Sequence, residues 1–317
     1  IVKYLYNFPF LKRIWRGMMK FKKYIIILVS LIVILSVVAT LAGILSSHGP
    51  GEYEHESIRG EDVSIYGKGF YQHMPSDVAI QGIAQDYVTL FIGIPMLLIS
   101  LFLATKDTLK GKMMLAGTLG YFSVTYIFYL CMAMYNELFL LWMALACLSF
   151  YTFILTLLSF GLKNLKSYFK SKTPTKYVGG FLIFNTFMIG FLWLGVVVPP
   201  LLDGTIYPEE LYHFTTLIVQ GLDLAILLPG SFLAGLFFIK KRPIGFLMAP
   251  IYIVFLTILM AALVAKIVGM SMIGVNPGPA IVIIPMINAV AIILAYLTLK
   301  NIDEKKYSGR DKGYPEI

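Results

Sequence analysis

Residues 24–45 read YIIILVSLIVILSVVATLAGIL, a stretch without a single charged side chain. A helix needs about 20 mostly apolar residues to cross a hydrocarbon core of about 30 Å, and further stretches along the chain have the same character. Backbone amides in lipid must find their hydrogen bonds within the segment, so a span is either a helix or a barrel strand. Barrel strands would alternate apolar and polar residues over about 10 positions, and these runs do not alternate.

The sequence therefore predicts an all-α bundle of about eight transmembrane helices. The predicted spans are 24–46, 87–105, 113–134, 138–161, 178–199, 216–239, 244–268 and 280–299, so that residues 24–299 form the bundle. The first stretch exceeds the roughly 7–15 apolar residues of a signal-peptide core, and we predict that it is retained as a span.

Composition excludes a water-soluble fold. Hydrophobic residues make up 58% of the chain and the mean hydropathy is +0.80. Charged residues are 14%, against about 25% in soluble domains. A chain with so few polar side chains cannot cover its apolar surface in water, so lipid is its expected partner.

The distribution of lysine and arginine sets the orientation, because positively charged loops are retained in the cytoplasm. Of the 26 basic residues, all but Arg59, Lys68 and Lys266 fall on one side of the predicted spans. We therefore predict that both ends of the chain are cytoplasmic, with residues 300–317 as a tail. The net charge of +9 then reflects topology. Basic residues dispersed over short loops do not favour a nucleic-acid partner.

Residues 1–23 form a predicted cytoplasmic segment that is basic and amphipathic. Its apolar positions share one helical face: Phe10, Leu11, Ile14, Trp15 and Met18. This pattern is typical of a helix that lies on the inner leaflet and is attracted to anionic lipid. The alternative is a plain basic flank that only fixes the orientation of the first span.

Two predicted outer loops, 47–86 and 200–215, are acidic and long enough to fold. They carry all four histidines of the chain: His48, His55, His73 and His213. Imidazoles beside carboxylates suit zinc or copper, but the spacing of these histidines matches no compact zinc signature, so we predict no metal site. The acidic loops would also suit an interaction with another protein or an envelope component.

Asp223 and Lys266 carry most of the functional signal, because ionisable groups inside a membrane are costly and usually face a bundle interior or a cavity. Gln220 precedes Asp223 on nearly the same helical face, and antiparallel neighbouring spans would bring Lys266 to a similar depth. Pro229 follows and would break the helix, a recurring device at substrate sites. We predict a ligand site open to the outside. A structural ion pair, or a lysine that only reaches for water, is the alternative.

Gln85, Asp86 and Glu137 are predicted to rim the same vestibule from the outer ends of the second and fourth spans. They would serve equally well as helix caps, since a carboxylate near the start of a helix is favoured by the helix dipole. Cys131 and Cys147 both lie in apolar runs and predict no disulfide. We detect no internal repeat in the residue pattern.

Three stretches resemble segments of a bacterial multi-pass membrane protein family that carries no assigned activity. They are QDYVTL at 85–90, MYNELFLL at 134–141, and the segment from Asp223 through Pro229 to KKRPIG at 240–245. The resemblance implies a bacterial protein of the cytoplasmic membrane, and it implies no mechanism.

No catalytic signature is present: the sequence lacks a G-x-S-x-G elbow, a Walker loop, an H-E-x-x-H helix and a dinucleotide fingerprint. The sequence leaves the identity of any cofactor unknown. The leading hypothesis is a permease-like protein that binds or passes a small solute or ion through a vestibule near Asp223. The alternatives are a non-transporting partner or sensor protein that uses its acidic outer loops, and a membrane-embedded enzyme that uses the outer histidines and carboxylates.

Overall fold

The computed structural model describes residues 21–308 and consists mainly of helices. Eight of these helices are long and apolar enough to cross a membrane, which confirms the predicted all-α, eight-span bundle. The protein is therefore a multi-pass membrane protein. The predicted amphipathic face in residues 1–20 and the end of the tail, 309–317, lie outside the described residues.

The bounds of the helices lie close to the predicted spans except at the start of the second. The helices are α1 (Lys22–Leu45), α2 (Ser76–Thr105), α3 (Leu109–Met132), α4 (Phe139–Leu157), α5 (Thr175–Val197, extended by a short helix Pro199–Asp203), α6 (Ile218–Ile239), α7 (Gly245–Met272), α8 (Ala280–Lys300) and the short α9 (Glu304–Ser308). Single 3₁₀ turns lie at Gly69–Tyr71, Leu165–Tyr168 and Glu209–Leu211.

The connection between α1 and α2 contains an antiparallel β-hairpin of β1 (Tyr53–Glu56) and β2 (Asp62–Ile65). β2 buries every second residue, whereas β1 is exposed along its whole length. Alternation of this kind is expected for a strand with one face on the protein. We call the end of the bundle that carries the hairpin the hairpin end. The opposite end, which carries residues 106–108, 158–174, 240–244 and 301–308, is called the basic end.

α3 and α7 form the centre of the bundle. α7 contacts α2, α3, α6 and α8, and α3 contacts α2, α4 and α7. Gly117 lets α3 approach α7 closely, since a Cβ there would lie 2.7 Å from the Ile251 carbonyl oxygen. Helices in lipid gain little from hydrophobic association, so small residues that permit close backbone contact stabilise such interfaces.

The second span begins earlier than the sequence predicts. α2 starts at Ser76, about three helical turns before residue 87. The predicted outer loop 47–86 therefore ends at residue 75, and Gln85 and Asp86 lie inside the helix. Hydropathy places such polar residues outside the membrane, whereas here they are buried against hydroxyl groups from other parts of the chain.

α2 and α6 share a break in their backbone geometry that the residue pattern does not reveal. Each contains one π-helical turn, at Thr89–Gly93 in α2 and at Asp223–Leu227 in α6. A proline follows each turn at the same distance, Pro95 in the first helix and Pro229 in the second. A π turn adds a residue to a helix and is frequent at functional sites.

The correspondence continues past the basic ends of both helices. Asp107 and Lys241 have the left-handed φ values of 56° and 53°. Gly111 and Gly245 then lie so close to the end of the preceding helix that a Cβ at either position would collide with its backbone. The π turns, the prolines, the left-handed residues and the close-packed glycines of the two segments are all separated by the same number of residues. We therefore describe α2–α3 and α6–α7 as structural repeats. The identical pairs are few: Leu90 and Leu224, Ile92 and Ile226, Pro95 and Pro229, Lys106 and Lys240, Gly111 and Gly245, and Met114 and Met248.

The start of the tail packs on the basic end of the bundle. The Glu304 carboxylate accepts hydrogen bonds from the backbone amides of Leu109 at 3.0 Å and Lys110 at 2.7 Å. These are amides of the first turn of α3, which have no partner within the helix. A side chain far along the chain thus caps α3 and holds α9 in place.

Candidate functional site

A cavity of about 350 Å³ lies between the repeats α2–α3 and α6–α7, which we call the two halves of the bundle, towards the hairpin end. Its wall comes from α2, α3, α5, α6 and α7 and from residues 210–217. Its polar lining residues are Gln81, Gln85, Thr125, Tyr129, Asn185, Trp193, Glu210, Tyr212, Thr216, Gln220, Asp223, Tyr252 and Lys266. Of the six predicted site residues, Asp223, Gln220, Lys266 and Gln85 therefore share one cavity.

Asp223 is the first residue of the π turn in α6 and is partly buried. Its Oδ2 accepts a hydrogen bond from the indole Nε1 of Trp193, 2.8 Å away on α5. A charged side chain in a span needs polar partners or water, because hydrocarbon provides neither. Trp193 supplies one such partner and leaves the other carboxylate oxygen to the cavity.

Lys266 lines the same cavity from α7, but the ion pair considered from the sequence is not formed. Within residues 21–308, no group forms a hydrogen bond or an ion pair with the Lys266 ammonium. Asp223 and Lys266 thus present opposite charges to one space without neutralising each other by direct contact.

The broken part of α6 has its backbone carbonyls satisfied from neighbouring helices. The Tyr252 hydroxyl of α7 donates to the Leu227 carbonyl at 2.5 Å, and the Thr186 hydroxyl of α5 donates to the Leu228 carbonyl at 3.3 Å. Irregular backbone at membrane depth is tolerated where protein groups or a cavity supply such partners. The π turn and Pro229 are therefore stable features of the cavity wall.

Gln85 joins the cavity to a buried network on α2 and α3. Its Nε2 donates to the Tyr121 hydroxyl at 2.7 Å and to the Thr125 hydroxyl at 3.2 Å. The Tyr121 hydroxyl also lies 2.8 Å from that of Thr89. Thr89 occupies the position in α2 that Asp223 occupies in α6, so each π turn begins with a polar side chain.

Asp86 does not line the cavity and does not form its rim. The carboxylate accepts hydrogen bonds from the hydroxyls of Tyr71 at 2.5 Å and Tyr129 at 2.9 Å. The Tyr71 ring stacks on Trp142 at a centroid distance of 6.3 Å, and its burial raises the pKa of the Tyr71 hydroxyl well above the ordinary value. Asp86 therefore ties the segment before α2 to the bundle. Tyr129 is the one member of this group that also reaches the cavity.

Glu137 lies apart from the cavity and is exposed. The neighbouring Asn136 is buried, and its Nδ2 donates to the Phe70 carbonyl at 2.8 Å. Its Oδ1 accepts from the Leu138 amide at 2.8 Å, immediately before α4. Asn136 thus holds the turn between α3 and α4, whereas Glu137 neither lines the cavity nor caps α4, whose start has no side-chain cap.

Residues 204–217 form the second loop at the hairpin end and cover the cavity. This loop is held by the first loop, which is the connection between α1 and α2 that contains the hairpin. The Arg59 guanidinium donates to the carbonyls of Tyr212 and Phe214, the latter at 3.0 Å. The Tyr212 hydroxyl donates to Asp77 Oδ2 at 2.5 Å. Burial, and then this contact with Asp77, raise the pKa of the Tyr212 hydroxyl. The two loops form one cover that spans both halves of the bundle.

Three of the four histidines meet in a separate pocket of about 320 Å³ at the same end. They are His55, His73 and His213, and the rings of His55 and His213 are 5.7 Å apart. Burial, and then the neighbouring His55, lower the pKa of His213. Across residues 21–308, no three His, Cys, Asp or Glu side chains are placed to hold a metal ion.

Trp193 and Tyr252 are site residues that the sequence analysis does not single out. Both are aromatic residues in apolar spans, where packing is the common role of such side chains. Their roles depend on the depth at which α5 and α7 cross α6, and this depth is not encoded by spacing within one helix.

Fold and cavity together define a multi-pass membrane protein with a mainly apolar cavity between two related halves, into which a few polar and charged side chains project. Comparison with models of protein families, with curated proteins and with solved structures finds no match to the chain. The resemblance to a bacterial membrane family stays a prediction from the sequence.

Proposed function

We propose that this protein is a permease-like membrane protein that binds a small solute or ion in the cavity beside Asp223 and passes it across the membrane. The observation that carries the proposal is the cavity itself, in which Asp223 and Lys266 face a common space without pairing. The volume of about 350 Å³ falls within the roughly 300–1,000 Å³ of small-molecule sites.

Two features of the surrounding fold support passage rather than binding alone. The cavity lies between two halves that share the π turn and proline, and many transporters bind their substrates between structural repeats at discontinuous helices. Hydrogen bonds of Arg59 and Tyr212 hold the cover at the hairpin end to the rest of that end. Such contacts can open and close at modest cost in free energy.

We place the hairpin end outside and the basic end in the cytoplasm of a bacterial cell, following the distribution of lysine and arginine. The solute is the leading hypothesis because it accounts for the cavity. The exposed carboxylates of Glu54, Glu56, Glu61, Asp62 and Glu209 in the two hairpin-end loops support the alternative, a non-transporting partner or sensor protein.

Uptake into vesicles tests the proposal. The purified chain is reconstituted, and entry of radiolabelled amino acids, organic acids, amines, sugars and inorganic ions is compared with protein-free vesicles. We expect entry of at least one class, reduced at least about tenfold by Asp223→Asn. The control Asp203→Asn changes an exposed carboxylate that does not line the cavity. Equal entry in all vesicles, with correctly folded protein, would refute passage.

Thiol labelling tests the orientation and the accessibility of the cavity. In a variant with Cys131 and Cys147 replaced by serine, Gln220→Cys is treated in intact cells with a membrane-impermeant maleimide. We expect labelling, because Gln220 lines the cavity. We expect none for Ile226→Cys, because Ile226 is 61% exposed on the outside of the bundle, where lipid covers it, and does not line the cavity. Labelling of Lys166→Cys but not of Gln220→Cys would show the reverse orientation.

A further inference from the structure

The charges in the cavity restrict the ligand more than the proposed function requires. Asp223 keeps one carboxylate oxygen away from Trp193, and the Lys266 ammonium has no hydrogen-bond or ion-pair partner in the part of the chain that the structure describes. Before a ligand binds, water can solvate both groups. A ligand that displaces this water must replace its hydrogen bonds, since an unpaired buried charge is costly.

Ligands with one charge or none fail this requirement. An uncharged solute would leave both charged groups desolvated and without a partner. An organic anion would pair with Lys266 but leave the Asp223 carboxylate unpaired. An amine would pair with Asp223 but leave the Lys266 ammonium unpaired. A site with buried polar groups rejects an analogue that lacks the matching group far more strongly than one that differs by a methylene. A zwitterion supplies both partners, an ammonium for Asp223 and a carboxylate for Lys266.

The remaining wall indicates what else the ligand carries. Beside the two charged residues, α6 and α7 contribute an apolar surface of Leu227, Leu228, Leu256, Leu259, Met260 and Leu263. Apolar area of this kind stabilises a ligand in proportion to the apolar surface that it removes from water. A ligand with two charged ends and no apolar part would leave this wall unused.

We infer that the cavity binds a small zwitterion of amino-acid type, with its ammonium at Asp223, its carboxylate at Lys266 and an aliphatic or aromatic side group on the leucine-rich wall. This inference rests on the proposed function, because it names the solute class for the same cavity. It predicts that both charges of the ligand contribute to affinity together.

Calorimetric titration of the purified wild-type chain with matched probes tests the inference. The probes are leucine, phenylalanine, 4-methylpentanoate, which lacks the ammonium of leucine, and 3-methylbutylamine, which lacks its carboxylate. We expect leucine or phenylalanine to bind at least about tenfold more tightly than either single-charge analogue. Absence of binding by both amino acids, or equal binding of an analogue, would overturn the inference. This comparison requires no variant to fold.

Charge-removing variants then assign each end of the zwitterion. Asp223→Asn should reduce leucine binding to the level of 4-methylpentanoate, and Lys266→Gln should reduce it to the level of the amine. The controls are Asp203→Asn and Lys68→Gln, which change exposed charges away from the cavity. Leucine binding unchanged in both cavity variants would contradict the assigned contacts.

Failure of the inference is distinguishable from failure of the proposed function. Asp223-dependent uptake of an ion or an uncharged solute, without amino-acid binding, would overturn the zwitterion and retain passage. Tight leucine binding without uptake into vesicles would retain the zwitterion site and refute passage. If leucine binding and leucine uptake are both reduced by Asp223→Asn and by Lys266→Gln, both proposals are supported.

Discussion

Replacing Gly43 by alanine should destabilise the protein strongly, because this glycine lies against the buried group around Asp86. Gly43 is a buried residue of α1. A Cβ there would collide with Asp86 Oδ2 and would lie 2.7 Å from the Tyr71 hydroxyl oxygen. Asp86 is 3% exposed and Tyr71 is 1% exposed, so neither side chain can withdraw into solvent. The methyl group must displace the hydrogen bond between them.

The expected cost combines two effects. Overpacking of a well-packed interior costs about 1–3 kcal/mol. Loss of a hydrogen bond to a carboxylate costs about 1.5–3 kcal/mol. The free energy of unfolding should therefore fall by about 2–5 kcal/mol, since part of the strain is relieved when the hydrogen bond breaks.

Equilibrium unfolding in mixed micelles, by titration with sodium dodecyl sulfate, measures this change. Gly180→Ala is the matched control, because a Cβ at this exposed position of α5 meets nothing within 4 Å. The control should be neutral or gain up to about 1 kcal/mol from the higher helix propensity of alanine. Equal effects of the two substitutions would refute the placement of Gly43 against Asp86.

A double-mutant cycle separates this contact from a general effect on α1. In an Asp86→Ala background the colliding carboxylate is absent and the Tyr71 hydroxyl can move into the space that it leaves, so Gly43→Ala should cost less than about 1 kcal/mol. An undiminished cost in that background would show that the strain arises elsewhere.

Three further predictions concern the ends of the bundle. Burial and the neighbouring His55 lower the pKa of His213, so around this pKa the folded chain binds fewer protons than the unfolded chain. The stability of the cover should therefore fall as the pH drops from about 6.5 through the folded-state pKa of His213. Limited proteolysis of residues 204–217 should accelerate on acidification, and His213→Gln should remove most of this dependence; an unchanged pH response in the variant would contradict it. Arg59→Ala removes the donor to the Tyr212 and Phe214 carbonyls, so the same segment should be cleaved several-fold faster at neutral pH, whereas Lys68→Ala, at an exposed position, should match the wild type. Glu304→Ala removes the acceptor for the first amides of α3 and should lower the free energy of unfolding by about 1 kcal/mol; a change no larger than that of the exposed Glu54→Ala would exclude a capping role.

The part of the site on α6 and α7 could be predicted from the sequence. Asp223, Gln220 and Lys266 interrupt long apolar runs, and an ionisable group in such a run must face the interior or water. The structure brings all three to one cavity. Whether Asp223 pairs with Lys266, the alternative to a ligand site, could not be decided in this way, because it depends on side-chain distances between two helices.

The part of the site on α2 was harder to predict, and its position differs from the expectation. Hydropathy adds up the transfer cost of each residue alone, so Gln85 and Asp86 are placed at the end of a span. Their actual cost is reduced by the hydroxyls of Tyr71, Tyr121 and Tyr129. These partners come from other segments, and a pattern along one segment contains no information about them.

The relation between the two halves was not detectable in the residues for a similar reason. The π turns at Thr89–Gly93 and Asp223–Leu227 have the same backbone geometry with different side chains. Backbone geometry at a helix break requires only a proline and a suitable glycine nearby, and both are common in membrane helices. Six identical pairs are too few to stand out.

The sequence by itself determined the solvent of this protein, the number of its spans and the residues that lipid cannot accept, because each of these depends on side-chain transfer energies summed along a single segment. Only the tertiary structure decided which of those residues meet in a cavity and which are buried against hydroxyl partners. Contacts of that kind depend on the depth and direction at which separate helices cross, which no single segment specifies.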